Sequence, residues 1–415
     1  MLKKSLRLPS VRSVDDAKKL VIERDLSHVK LAVCDIDGVL RGKWVSREKF
    51  FSALDNGFGF CDIIFGWDCL DANYDNGIYT NRNSGYPDTQ LRVAVETARN
   101  LPLDIDGPPF DPFHPSYSSL PPDPSDPSDP SGPSNYTGPA GPSPSYGQPR
   151  QAYDSVHSGP SSNPLSPRHF NNHSLLFLAE SGEERGQDIV PRSLLKKIIA
   201  HGDSMGIAAR AAAEFEFFLF RETAESVRAK HYRNLTPLTP GIFGYSLLRT
   251  GREHWFYEKL LNMSNAMDIP LEGLHTETGP GVLEAAIAAT DILAAADRAA
   301  LFKTFTKILA QKNGLMATFM AKWSHAYPGQ SGHLHISLQN KDGRSLFFDK
   351  NKPNNMSDTM RYFIGGLQRL MPDLMPMLAP TVNSYMRITA GYWAPTSPSW
   401  GIENRTCALR VIGSS

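Results

Sequence analysis

The chain has little cysteine and no way to pair it locally. Cys34, Cys61, Cys69 and Cys407 are the only four in 415 residues. None forms a Cys-x-x-Cys pair, which argues against a disulfide framework or thiolate zinc site and for a reducing, cytoplasmic setting. The chain also lacks an excess of either charge: 43 Lys+Arg face 43 Asp+Glu. No global field therefore draws it to nucleic acid or to an anionic membrane. No apolar run approaches the ~18 residues of a membrane-spanning helix. Met1–Arg7 is basic, but no apolar segment follows and Asp15-Asp16 comes soon after, so a signal peptide is not expected. The length does allow a substantial core, in two or three domains.

Residues 13–27 read as a surface helix with Ser13 or Asp15 as cap, and Val29–Asp35 as a strand. Ser46–Leu54 is a helix or loop, Ile63-Ile64-Phe65 a second apolar run, and the part up to Arg99 a small mixed unit in which strands predominate. Composition then shifts to proline, serine and glycine. Residues 104–170 bury too little apolar surface to offset ordering entropy and read as a disordered insertion. Order resumes at Leu175–Leu178. The helix Pro191–Met205 places Leu194, Leu195, Ile198 and Ile199 on one face. Ala211–Phe220 is a strand, 252–265 is helical, and Asp291 caps a helix that reaches Gln311 and ends at Asn313-Gly314. Met316–Lys322 and His333–Leu338 read as strands, 355–375 as a helix, and the last forty residues as strands and turns. Strands and helices without regular βαβ alternation predict an α+β fold.

The chemistry lies in alternation. On a strand, residues i and i+2 share a face, so Glu214 and Glu216 stand together, as do His275 and Glu277, and His333 and His335. Neighbouring carboxylates repel, and one holds a proton unless a cation neutralises them. Several glutamates with one or two histidines suit Mg²⁺ or Mn²⁺ better than zinc. A single pair is as well explained by a solvated strand face. Three such pairs, each beside a glycine turn or an aromatic-rich strand, point to a site. Arg387, Arg405 and Arg410 add guanidinium forks suited to carboxylate and phosphate.

These motifs carry a resemblance. Ala213-Glu214-Phe215-Glu216-Phe217, His275–Glu284 with its Gly279-Pro280-Gly281 turn, and Gly329–Ser337 occur in the order found in the glutamine synthetase family. The resemblance spans about 28–103 and 171–415. It implies a small N-terminal β-grasp domain over 28–103, followed by a catalytic domain over 171–415 with an antiparallel sheet and flanking helices. It assigns Glu214, Glu216, Glu277, Glu284 and His333 to two or more Mg²⁺ or Mn²⁺ ions, and His335, Ser337 and Arg410 to ATP. Gly329 and Arg387 are assigned to glutamate, and Arg405 to the transferred phosphoryl group. Asp68 is the candidate acid reaching into a neighbouring subunit of a homo-oligomeric ring. The implied reaction is phosphorylation of the glutamate γ-carboxylate by ATP, then displacement of phosphate by ammonia or an amine.

The chain departs from the family pattern. Trp393, in Gly391–Pro395, stands where ammonia-using members place a glutamate. A neutral indole cannot take a proton but can pack against an alkyl amine, as in γ-glutamylpolyamine synthetases. Lys322-Trp323 replaces the usual Lys-Pro. The resemblance also implies a final Arg-x-Glu-x-Arg segment and terminal helices beyond Ser415. The rival readings are a non-catalytic structural member of the family and, from Val33–Leu40, a haloacid-dehalogenase-type phosphatase with an aspartate nucleophile at Asp35.

Overall fold

The computed structural model describes residues 8–74, 76–102 and 174–413. These belong to one compact unit formed by 1–110 and 172–415; the expected insertion at 104–170 lies outside the described residues. No helix among them is long and apolar enough to cross a membrane.

In chain order the first part holds α1 (Val14–Glu23), β1 (His28–Cys34), β2 (Leu40–Ser46), α2 (Arg47–Asn56), β3 (Phe58–Cys61), β4 (Asp88–Leu101) and β5 (Ser174–Ser181). Ser13 caps α1 in a capping box with Asp16, and Ser46 caps α2. The strands form a sheet in the order β2-β1-β5-β4-β3, antiparallel except for the parallel β1–β5 pair. Thus β5, which the sequence reading places in the second domain, is hydrogen-bonded inside the first sheet. Leu101 pairs directly with Ser174, so the strands on either side of the insertion meet as neighbours.

The second part holds α3 (Pro191–Ser204), β6 (Ala208–Phe220), α4 (Ala224–Ala229), α5 (Leu247–Arg252), α6 (His254–Ala266), β7 (Leu271–Thr276), β8 (Val282–Ile287), β9 (Thr290–Asp291), α7 (Ile292–Lys312), β10 (Met316–Thr318), β11 (Gly332–Gln339), α8 (Asp358–Leu378), α9 (Val382–Arg387), β12 (Trp400–Ile402) and β13 (Leu409–Val411). The fold is α+β, and every pair in the second sheet is antiparallel. β6 is its spine: β8 and β9 bond one edge, β11 and β10 the other. Phe215 and Phe217 point from β6 onto Phe302 of α7, with ring centroids 5.9 and 6.1 Å away. Phe217 and Phe302 are fully buried. Asp291 caps α7 through a 2.9 Å bond from Ala294 N to Oδ1.

Several expectations change. Helix α3 forms, but it buries Arg192 and Ser193 while Leu194 and Ile198 are exposed. Arg192 donates to Asp297 on α7 and pairs with Glu180 on β5 and Glu96 on β4. These ion pairs, and not an apolar stripe, fix the helix. The strand expected over Met316–Lys322 stops at Thr318, because the Lys322 backbone turns to bond the Asn383 side chain. Ile63–Phe65 lies in a short 3-10 helix, and α9 appears where strands and turns were expected. The phosphatase reading also fails on geometry. Asp35 is buried, its Oδ1 accepts from Asp37 N and Val39 N, and its Oδ2 accepts from Arg41 Nε at 2.8 Å. Both oxygens are occupied, so the carboxylate is not presented as a nucleophile.

Two outcomes follow from this architecture. Replacing residues 103–173 with a short turn should leave the unfolding midpoint undiminished in a denaturant titration, because Leu101 and Ser174 are already ladder partners. Arg192→Ala should cost about 3–5 kcal/mol in the same experiment, since it strands the buried Asp297 as an unpaired charge and leaves Glu180 with Lys196 alone.

Candidate active site

Alternation along β6 sends Phe215 and Phe217 into the core and Glu214 and Glu216 to the opposite face. The register then assembles the site: His333 of β11 lies opposite Glu214, Glu216 opposite Glu284 of β8, and Glu284 opposite His275 of β7. Directly opposed residues share a face, so three acids and two histidines converge without a long loop. Glu277 follows β7 in the turn to β8. That turn needs Gly281, with φ 69° and the Leu219 carbonyl 2.5 Å from where a Cβ would stand.

Two sets of donors emerge. Ligand atoms of Glu214, Glu284 and His333 lie within 4.8 Å of one another, as do those of His275, Glu277 and Glu284. Glu284 belongs to both. His333 Nδ1 lies 2.9 Å from Glu214 Oε2, and His335 Nε2 lies 3.2 Å from Oε1. The two imidazoles hold the Glu214 carboxyl well below the usual range, and Glu214 in turn raises His333. The His335 contact is not aligned as a hydrogen bond, which leaves that buried ring nitrogen unpartnered. On the other side burial, then Glu216, pushes Glu284 up to about 7. Burial likewise raises Glu216, whose Oε2 accepts from Ser331 N at 2.7 Å.

These features fit a hard divalent cation. Carboxylates whose burial and mutual repulsion disfavour ionisation are neutralised by one, and oxygen-rich donors with an imidazole suit it. Glu214, Glu216, Glu277, Glu284 and His333 would hold it, with His275 beside them.

The cationic side comes from elsewhere. Arg387, at the end of α9, is half-buried; desolvation lowers its pKa while Glu216 draws it back. Its Nη1 donates to Tyr392 O at 2.9 Å, and its buried Nε has no partner. Gly329 is required here, since a Cβ would stand 2.3 Å from Arg387 Cδ. The structure thus joins Gly329, Arg387 and the Tyr392-Trp393 turn. Arg405 is exposed in the β12–β13 connection, and its charge reaches Tyr245. Arg410 sits on β13 opposite Gly401, and Ser337 lies on β11 one pleat beyond His335. Asp68 is not part of the cluster: its Oδ1 accepts from Leu70 N and Ala72 N in a loop of the first part.

Sequence reasoning missed Tyr245. Its ring stacks on His275 at 4.5 Å between centroids, and desolvation and the Glu277 carboxylate raise its hydroxyl pKa. Its φ of 53° is left-handed, a strain found at functional sites. No local pattern marks a tyrosine in an irregular loop; the bond from its N–H to Thr276 O carries it there.

Comparison with known proteins agrees with this geometry. Residues 188–415 match the family described as glutamine synthetase, catalytic domain. The chain is 39% identical over 385 residues to type-1 glutamine synthetase 2 of Dictyostelium discoideum, covering 92% of this chain and 61% of that protein. It is 29% identical over 400 residues to a glutamate–isopropylamine ligase of a Pseudomonas species, covering 96% and 73%. A solved complex of GmaS with ADP superposes with a TM-score of 0.67 at 20% identity, covering 95% of this chain and 73% of that one, and shows the shared fold. The chain thus spans about three fifths of the Dictyostelium relative. With the family match covering more than half its length and the strand-borne glutamates in place, the chain belongs to the glutamine synthetase family.

Proposed function

We propose that this protein is an ATP-dependent ligase that joins the γ-carboxylate of glutamate to an amine. The observation that carries the reading is the cluster of Glu214, Glu216, Glu277, Glu284 and His333 with Arg387 beside Glu216. A γ-carboxylate oxygen attacks the terminal phosphorus of ATP and ADP leaves; the amine nitrogen then attacks the acyl carbon and phosphate departs. Bound Mg²⁺ or Mn²⁺ would supply charge neutralisation for the phosphoryl group. Arg387 offers a preorganised fork to a substrate carboxylate, and Gly329 leaves room for it. His335 and Ser337 face the nucleotide, with Arg410, while Arg405 meets the charge that develops in transfer.

Trp393 is 71% exposed and offers an apolar wall without a basic atom, which favours an alkyl amine over ammonia. The name of the Pseudomonas relative supports that choice. Copies of the chain would form a ring with sites between subunits, where a neighbour's Asp68 would complete the acid set.

The direct test is phosphate release with ATP, Mg²⁺ and glutamate, comparing ammonium with putrescine and isopropylamine. Turnover should require glutamate and an amine, run better with an alkyl amine, and fall on the order of 10²–10³-fold in Glu216→Ala. A folded protein with no amine-dependent turnover would leave the structural reading in its place.

The raised Glu284 sets a pH dependence. The metal-free fold favours its protonated form, so that contribution to stability is present at low pH and is lost as pH rises through about 7. His333, also raised, acts in the same sense. In thermal melts the metal-free protein should lose stability between pH about 5 and about 7.5, Mg²⁺ should restore it, and Glu284→Gln should flatten the difference.

A further inference from the structure

The turn after α9 contains a strain that the acid cluster does not explain. Trp393 has φ 57°, a left-handed conformation that costs bulky L residues free energy and persists only where the surroundings enforce it. With 71% of its surface exposed, its own ring does not enforce it. The restraint lies one residue earlier. The Tyr392 carbonyl accepts from Arg387 Nη1 at 2.9 Å, and its N–H donates to Thr389 O at 3.3 Å. Its ring faces Lys322, whose Nζ stands 5.0 Å from the centroid.

Lys322 is only 9% exposed, and among the described residues no carboxylate lies within ion-pair distance of its ammonium. With no competing carboxylate, the ammonium is drawn to the electron-rich face of the Tyr392 ring. The Lys322 backbone is fixed in turn: its N–H donates to Asn383 Oδ1 at 2.8 Å, and Asn383 Nδ2 donates to its carbonyl at 2.5 Å. Asn383 and Arg387 lie four apart on α9 and so share a face. The contacts close a ring from α9 through Asn383, Lys322 and Tyr392 back to Arg387.

We infer that Lys322 and Tyr392 are positioning residues that set amine selectivity: they hold the strained turn so that Trp393 stands as the amine-side wall, and they tie that wall to Arg387. This rests on the ligase reading above and adds the residues that build its amine side.

The test compares wild type with Lys322→Met, Lys322→Arg, Tyr392→Leu and Tyr392→Phe. KM for the amine and for glutamate are measured alongside the rate of chymotrypsin cleavage after Tyr392 or Trp393. Lys322→Met and Tyr392→Leu should raise the amine KM by about three- to thirtyfold while moving the glutamate KM less than about twofold. Lys322→Arg and Tyr392→Phe should stay near wild type. Cleavage in the turn should accelerate several-fold in the first two variants, with the rest of the digest unchanged. Equal shifts in both KM values, uniformly faster digestion, or unaltered cleavage at Trp393 would overturn the inference. Wild type without turnover would sink the ligase reading and the selectivity with it, and the digest would still decide whether Lys322 fixes the turn.

Discussion

The two faces of β6 govern this molecule. One carries Phe215 and Phe217 into an aromatic core with Phe302 and Phe319; the other carries Glu214 and Glu216 into a cluster whose members repel one another. A strand's side-chain period is two, so a one-residue slip would put glutamates into the core and phenylalanines into the site. The core resists that slip, since losing one buried phenylalanine side chain alone costs about 3–5 kcal/mol. The same burial that fixes the register therefore holds like charges together in the metal-free state. Carboxylates brought together by a flexible loop would move apart; those on one strand, and on its ladder partner β8, cannot.

This arrangement explains why much of the site was legible. Period two is local: Glu214 and Glu216, His275 and Glu277, and His333 and His335 declare a shared face in three residues each. Asp291 likewise announced the start of α7, because a cap acts within one turn. What the pattern could not supply was which strands adjoin. The opposition of Glu216 to Glu284 and of His333 to Glu214 is a matter of register between distant segments.

The expectations that changed share a cause. Arg192 is a buried residue of α3, beside Ser193, because Glu96, Glu180 and Asp297 meet it from two strands and another helix, none of them adjacent in the chain. An apolar stripe is a sound guide to a buried face only when the partner surface is apolar. Here the partner includes a row of carboxylates, and Leu194 and Ile198 of α3 are left exposed. Tyr245 and the short α9 were missed for the related reason that tertiary contacts hold an irregular loop and a six-residue helix where propensity is weak.

The acids and cations of the site differ in how they are built. Every acid of the cluster sits on a strand or in a glycine turn next to one, so its position is set by backbone ladders. The cations sit on α9, on β13 and in the connection before it, outside the six-stranded sheet. Arg387 is held without an ion-pair partner, desolvated and with its Nε unmatched. A half-buried guanidinium in that condition is costly, and an anion bridging it to the acid face would relieve the cost as the acids gain their counter-ions. In the proposed reaction the sheet would fix the acid side of the site, and a substrate anion would complete the cationic side around it.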